Sequence, residues 1–323
     1  MSIPVIDLSR FRNGDTSERR AVARETDRVC REIGFLSVTS HRVPEPLIAD
    51  IYQRSKNFFR QPVTRKESVR QPGPDVVRGY IGFARGALAT TRGETTPPDL
   101  KESYSIGPER EEESQASGSF NQWPADDPGF CASWLSYYAE MERLSGEMME
   151  LFAEALDLER NYFYNGFGNH SSVLSAIYYP DQVKPPAEGQ LRAGAHTDFG
   201  TMTILRPDNA PGGLEVMPKS GEWMPARPAP GSLVINIGDL MARWTNDRWV
   251  STLHRVVNPP RDIVSGTERL SIGFFHQPDD VHVVECLPSC RSADGSALYP
   301  PVTAGSYMKT RFTSQIVRQE TTS

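Results

Sequence analysis

The rhythm of apolar positions changes halfway along this chain. In the first half, hydrophobic residues recur at threes and fours. Val22, Ala23, Thr26, Val29 and Cys30 predict a helix from Thr16 to Ile33, which Ser17 can cap and Gly34 stops. Leu47, Ile48, Ile51, Tyr52 and the Phe58–Phe59 pair predict a second helix that starts at Pro44 or Glu45 and ends by Pro62. The strongest helical pattern runs from Asp127–Pro128 to Leu158. There Trp134, Tyr138, Met141, Leu144, Met148, Leu151, Phe152 and Leu156 make one wide apolar stripe, the mark of a packing element. Residues 3–8 and 35–39 read as short strands.

From Ser172 the period shortens. Apolar runs at 173–179, 202–205, 214–217, 223–226, 232–236, 254–258 and 269–275 are separated by Gly, Pro, Asn and Asp turns. Many short strands punctuated in this way predict a sandwich or barrel. The expected fold is therefore α+β with a mainly β core. A mostly helical segment (1–165) packs on a β-rich half (166–323), and there are no internal repeats. The stretch from Gln71 to Glu113, rich in Gly, Pro and Thr, is too long for an idle connection and reads as a functional loop region or as disorder. Glu109 to Ser119 reads as an acidic, solvated loop.

Composition narrows the function. A net charge of −6 over 323 residues offers no basic footprint for nucleic acid. Mean hydropathy is −0.48, and no apolar run approaches the ~20 residues of a membrane span. The opening Met1-Ser-Ile-Pro-Val-Ile-Asp7 lacks the charged-then-apolar layout of a secretory signal. A cytoplasmic protein is expected. Cys30 and Cys131 fall in helical patterns, while Cys286 and Cys290 lack the partners of a zinc site; no disulfide is expected in that compartment.

Chemistry concentrates in Ala193-Gly-Ala-His196-Thr-Asp198-Phe-Gly200 and Thr252-Leu-His254-Arg-Val256. In an extended segment, His196 and Asp198 point to one side, and His254 can close on them from another wall. Two imidazoles and one carboxylate, with the opposite positions open, suit non-haem Fe(II). Further on, Arg269 and Ser271 share one face of a predicted strand, where a guanidinium fork and a hydroxyl can hold a carboxylate.

With Ile3-Pro-Val-Ile-Asp-Leu8, Gly34-Phe-Leu36, Asp99-Leu-Lys101-Glu102, Asn236-Ile-Gly-Asp239 and Trp244-Thr-Asn246, these runs resemble the 2-oxoglutarate and Fe(II)-dependent dioxygenase family that includes isopenicillin N synthase. The resemblance extends nearly from end to end. It implies a double-stranded β-helix, or jelly roll, in 166–323, and Fe(II) held by His196, Asp198 and His254. It further implies 2-oxoglutarate clamped by Arg269, Ser271 and Tyr179, with Ile177 standing where the family often has Asn. For the substrate it points to Arg78, Tyr80, Phe199, Phe275 and a carboxy-terminal helix, Tyr307 to Phe312, laid over the mouth. Asn236 and Asp239 are expected to shape the turn before Trp244, and His41, His170, His276 and His282 to lie outside the site.

The implied reaction consumes O2 and 2-oxoglutarate, releases succinate and CO2, and hydroxylates, desaturates or cyclises a metabolite of specialised or amino-acid-derived origin. An isopenicillin N synthase-type oxidase without 2-oxoglutarate, an ethylene-forming enzyme and a non-catalytic binding protein are the alternatives. Since metal-binding imidazoles must be neutral, activity is expected to fall as the pH drops to ~6.5 and below.

Overall fold

The longest sheet draws strands from both halves of the chain. In spatial order it comprises β1 (Val5–Asp7), β2 (Phe35–Thr39), β10 (Leu233–Ile237), β7 (Met202–Arg206), β12 (Arg269–His276), β5 (Val173–Tyr179), β4 (Glu102–Ile106) and β3 (Gly79–Ile81). A second sheet of β6 (Ala193–His196), β11 (Leu253–Val257), β8 (Gly213–Met217) and β9 (Met224–Pro225) packs against it. Together they form a jelly roll. The computed structural model describes residues 3–73, 76–109, 120–263 and 265–316, and among these no helix is long and apolar enough to cross a membrane.

Strand β12 shows how the layers arise. Its neighbours β5 and β7 pair on either side, and nearly all its residues are buried, so the run is apolar on both faces. Alternation sends Leu270, Ile272 and Phe274 to one side and Arg269, Ser271 and Phe275 to the other. The first set meets α5 (Pro128–Ala155), where the Tyr138 and Phe274 rings stand 5.2 Å apart, edge to face. The predicted stripe is this buried face: Trp134, Met141, Leu144, Met148, Leu151 and Phe152 are all fully buried. Removing the Trp134 ring would cost about 3–5 kcal/mol. The second set faces the smaller sheet and lines the interior of the roll.

The amino-terminal helices α1 (Leu8–Asn13), α2 (Thr16–Glu32), α3 (Glu45–Phe59) and α4 (Val63–Glu67) complete the helical layer. Several expected boundaries shift for local reasons. Asp15, not Ser17, caps α2, because its carboxylate accepts the Glu18 amide at 2.9 Å. The opening strand is cut to three residues because Asp7 accepts the Ser9 amide and starts α1. Gly34 does end the helix: it adopts φ +66°, and a Cβ there would lie 2.1 Å from the Val250 carbonyl. The 71–113 stretch is not plain loop but contains β3, β4 and a 3-10 turn at Leu88–Arg92. Gly-Tyr-Ile and Glu-Ser-Tyr-Ser-Ile carry too few aliphatic and β-branched residues to stand out as strands. Of the acidic loop, residues 110–119 lie outside the described part. All four cysteines are free, and Cys131 is only half-buried.

Candidate active site

His196 closes β6 and His254 is the second residue of β11, and the two are direct partners in the antiparallel ladder. Their rings lie 4.3 Å apart. Asp198 sits beyond the end of β6, in the turn that leads to β7. Its Oδ1 is 3.8 Å from His196 Nε2 and 3.7 Å from His254 Nε2, and one donor atom from each residue falls within 4.8 Å of the others. No other such group of His, Cys or acidic residues occurs among the described residues.

Each donor atom is aimed from behind. His196 Nδ1 donates to the Gly194 carbonyl at 2.7 Å and His254 Nδ1 to the Thr252 carbonyl at 3.1 Å, so both Nε2 lone pairs point inward. Asp198 Oδ2 accepts from Thr203 Oγ1 at 2.5 Å and from Asn236 Nδ2 at 2.7 Å, which leaves Oδ1 for a cation. Phe35, from β2, packs edge-on against His254 at 5.4 Å. Gly200 and Gly238 let the turn sit close, since a Cβ on Gly238 would strike the Gly200 carbonyl at 2.2 Å. Nitrogen and oxygen donors in this pattern fit Fe(II) with open positions opposite.

Electrostatics agree with a metal site. Burial, reinforced by the neighbouring His254, pushes His196 below the usual imidazole range. Burial alone would raise Asp198, but the two imidazoles and the Thr203 and Asn236 hydrogen bonds carry it below the usual carboxylate range. Burial thus favours the neutral imidazole that a metal needs at His196.

Deeper in the roll, Arg269 and Tyr179 are ladder partners, as are Ser271 and Ile177. Arg269 is 3 % exposed and its Nε has no hydrogen-bond partner; Nη1 donates to the Ala210 carbonyl at a long 3.3 Å. A buried guanidinium with an unused donor awaits an acceptor. A second buried cation, Arg192, lies beside it, over the Tyr179 ring at 5.8 Å. Burial, with Arg269 adding repulsion, pulls Arg192 down to about 10. Two adjacent arginines form a site for an anion such as a dicarboxylate. Sequence reasoning misses Arg192, although its even spacing from His196 is a usable signal.

The remaining candidates divide. Phe275 shares the interior face and is the ladder partner of Thr203. Phe199 and Tyr307 both lie under the Arg311 guanidinium, at 5.3 and 5.6 Å. Arg311 pairs with Asp239, which also accepts from Thr197 at 3.2 Å. Helix α7 (Ala304–Ile316), following the short α6 (Asp239–Trp244), is thereby tied to the His-x-Asp turn and packs on the Leu88–Arg92 turn. The Phe312 side chain lies outside the described part.

Two residues need correction. Tyr80 is paired with Tyr104, whose row continues to Ala176 and Ile272, so it points to the helical side of the sheet, opposite Arg269. Its ring packs on Phe58 and its hydroxyl donates to Glu102. Arg78 holds the loop instead, donating to the Pro108 carbonyl at 2.9 Å and to Asn121 at 3.1 Å. Asn236 and Asp239 do more than shape a turn, as they hold Asp198 and α7. His276 is buried, its Nδ1 2.9 Å from Thr201 Oγ1.

Comparison with known proteins bears on the whole chain. Residues 3–126 match the family model described as non-haem dioxygenase in morphine synthesis N-terminal, and residues 170–278 match that of the 2OG-Fe(II) oxygenase superfamily. The chain belongs to this superfamily. It is an Fe(II)- and 2-oxoglutarate-dependent dioxygenase, an oxidoreductase of the isopenicillin N synthase-like family. The oxygenase is similar to the 2-oxoglutarate-Fe(II) type oxidoreductase hxnY of Emericella nidulans, 32 % identical over 98 % of this chain and 91 % of the relative. Validamycin A dioxygenase of Streptomyces hygroscopicus subsp. limoneus is 33 % identical over 94 % of this chain and 84 % of its own. Among solved structures, a full-length Neurospora crassa protein in complex with alpha-KG and thymine superposes with a TM-score of 0.85 at 30 % identity, covering 97 % of this chain and 96 % of that one. These relatives do not favour the oxidase, ethylene-forming or non-catalytic alternatives.

Proposed function

We propose that His196, Asp198 and His254 hold the catalytic Fe(II) and that Arg269, Ser271 and Tyr179, with Arg192 behind them, hold the far carboxylate of 2-oxoglutarate. The observation that carries this reading is the shared interior. Three donor atoms converge within 4.8 Å on one wall, and a buried arginine with an unused Nε stands on the facing sheet. When bound, iron and 2-oxoglutarate supply the oxidising power, with O2 and the keto acid yielding succinate, CO2 and an oxidised C–H bond.

The chain's part is positional. Asn236 and Thr203 keep Asp198 charged and turned, and the backbone carbonyls of Gly194 and Thr252 hold the imidazoles in one tautomer. Arg269 fixes 2-oxoglutarate by charge and fork geometry. Leu205, Leu214 and Val256 make the interior dry, which strengthens every charge interaction inside it. Phe199 and Phe275 shape the space where substrate would lie, under α7. Residues 166–323 carry the chemistry, and residues 1–165 complete the sheet and supply part of the mouth. The substrate is a small metabolite of specialised or amino-acid-derived origin, and the compartment is the cytoplasm. The relatives' names, one for validamycin A and one structure holding thymine, share no scaffold that would narrow it.

Anaerobic titration of the apo-protein with Fe(II) and then 2-oxoglutarate tests this directly. A weak visible charge-transfer band is expected, absent in His196→Ala and weakened in Arg269→Ala. Iron binding without a band would overturn the co-substrate assignment, and no iron binding would overturn the metal site.

A further inference from the structure

Strand β6 holds one residue more than its neighbour can match. Val256 pairs with Ala193 and His254 with His196, so Gly194 and Ala195 together oppose Arg255 in a β-bulge. The bulge decides where His196 points. Ala193 packs with Val256, Leu214 and Tyr179 in the interior of the roll. In a regular strand Ala195 would therefore face inward opposite His254, and His196 would face outward. The extra residue reverses that phase and brings the His196 ring to 4.3 Å from the His254 ring. Strand β11 needs no such device, since its pairing with β8 runs unbroken.

Strand β6 lies at the edge of its sheet, where backbone groups have no strand partner. A segment from the other half of the chain covers this edge. Leu100 donates its amide to the Leu191 carbonyl at 3.0 Å, and Gln190 Nε2 donates to the Pro98 carbonyl at 2.8 Å. At the bulge itself the acceptor is a side chain, as Asp99 Oδ1 takes the Gly194 amide at 2.9 Å. The carbonyl of the same Gly194 accepts from His196 Nδ1 at 2.7 Å. Asp99 is 2 % exposed, and its Oδ2 accepts the Leu88 amide at 3.1 Å, with Lys101 Nζ at 3.5 Å. A carboxylate held in this way binds an amide more strongly than a neutral carbonyl does. The approach is close: a Cβ on Gly194 would lie 3.1 Å from the Ala89 nitrogen and 3.3 Å from Asp99 Oδ1.

We propose that Asp99 is a positioning residue for the iron site: by holding the Gly194 amide it keeps the β6 bulge, and with it the inward aim of His196, before any metal binds. This rests on the assignment of His196 as an iron ligand above. The amino-terminal segment thereby completes the site without contributing a ligand of its own.

The test compares Asp99→Ala and Asp99→Leu, which remove the acceptor, with Asp99→Asn, which keeps a carbonyl oxygen for Gly194. Fe(II) is titrated anaerobically into each metal-free protein, and circular dichroism follows the fold. The two acceptor-free variants are expected to bind Fe(II) roughly 10–100-fold more weakly, and Asp99→Asn to stay within about threefold of the wild type. Amide exchange of the wild-type protein, read by NMR without metal and with Zn(II), decides the matter even if both acceptor-free variants fold poorly. The Gly194 amide is expected to be protected about 100-fold or more before metal is added. Unchanged Fe(II) affinity in a folded acceptor-free variant overturns the proposal, as does an Asp99→Asn protein no better than Asp99→Ala. So does a Gly194 amide protected only once Zn(II) is present, because the metal would then be what holds the bulge. Failure of the wild-type protein to bind Fe(II) at all instead overturns the underlying assignment of His196.

Discussion

Asn236 donates its side-chain amide to Asp198 Oδ2 at 2.7 Å, from a strand that carries no proposed iron ligand. With Thr203 on the same oxygen, it leaves Asp198 a single free direction, toward the two imidazoles. Groups that orient a ligand in this way typically contribute 10–100-fold in metal affinity. Asn236→Ala and Thr203→Val are each expected to weaken Fe(II) binding by about that factor without unfolding the protein. Anaerobic metal titration alongside circular dichroism checks both, and unchanged affinity would remove Asn236 from the site.

Arg269 offers its fork to an anion with little competition from protein acceptors. Arg269→Ala is expected to raise the Kd for 2-oxoglutarate about 100-fold or more, in line with ~3 kcal/mol for a charged partner left unpaired. Arg269→Lys should recover only part of this, because an ammonium lacks the planar fork. Isothermal titration of the Fe(II)-loaded protein would measure both.

His276 is buried against Phe167 and Thr201, and burial pushes it down to about 3. The folded protein therefore refuses a proton that the unfolded chain accepts near 6.5. Stability is fully present above 6.5 and is lost as the pH falls through the window from 6.5 to about 3, at up to about 1.4 kcal/mol per pH unit from this group. His276→Gln, which keeps a hydrogen-bonding group, should flatten the slope between pH 6.5 and 5 by about that amount. Urea denaturation of the iron-loaded protein at several pH values would show it, and an unchanged slope would contradict the assignment.

Arg311 on α7 pairs with Asp239, which in turn accepts from Thr197 inside the His-x-Asp turn. The pair is partly buried, with side-chain exposures of 33 % and 10 %, so its contribution is on the order of 1 kcal/mol. Arg311→Ala is expected to free α7 without disturbing the jelly roll. Amide hydrogen exchange should accelerate roughly fivefold across 304–316 while β5 and β12 remain protected. Equal acceleration in the sheet would mean that the pair supports the whole fold.

Much of this molecule can be read from local pattern. The α5 stripe, the strands from 173 onward and the His-x-Asp and Arg-x-Ser spacings depend on periods of 3.6 and 2, which any stretch of chain carries within itself. Even so, β3 (Gly-Tyr-Ile), β4 (Glu-Ser-Tyr-Ser-Ile) and β6 (Ala-Gly-Ala-His) escape such a reading, because they hold few of the β-branched and aliphatic residues that mark the other short strands. Tyr80 falls on the wrong side for a related reason. Its own neighbourhood shows that it alternates, but only pairing with Tyr104 and, beyond it, Ile272 says which face is which. Asn236, Thr203 and Arg192 are invisible as a group, since their convergence on Asp198 and Arg269 comes from the order β10-β7-β12 and the facing sheet. Spacing along the chain determines which residues can share a face. Strand order and register, set by how the two sheets bury their apolar sides, decide which of those faces meet.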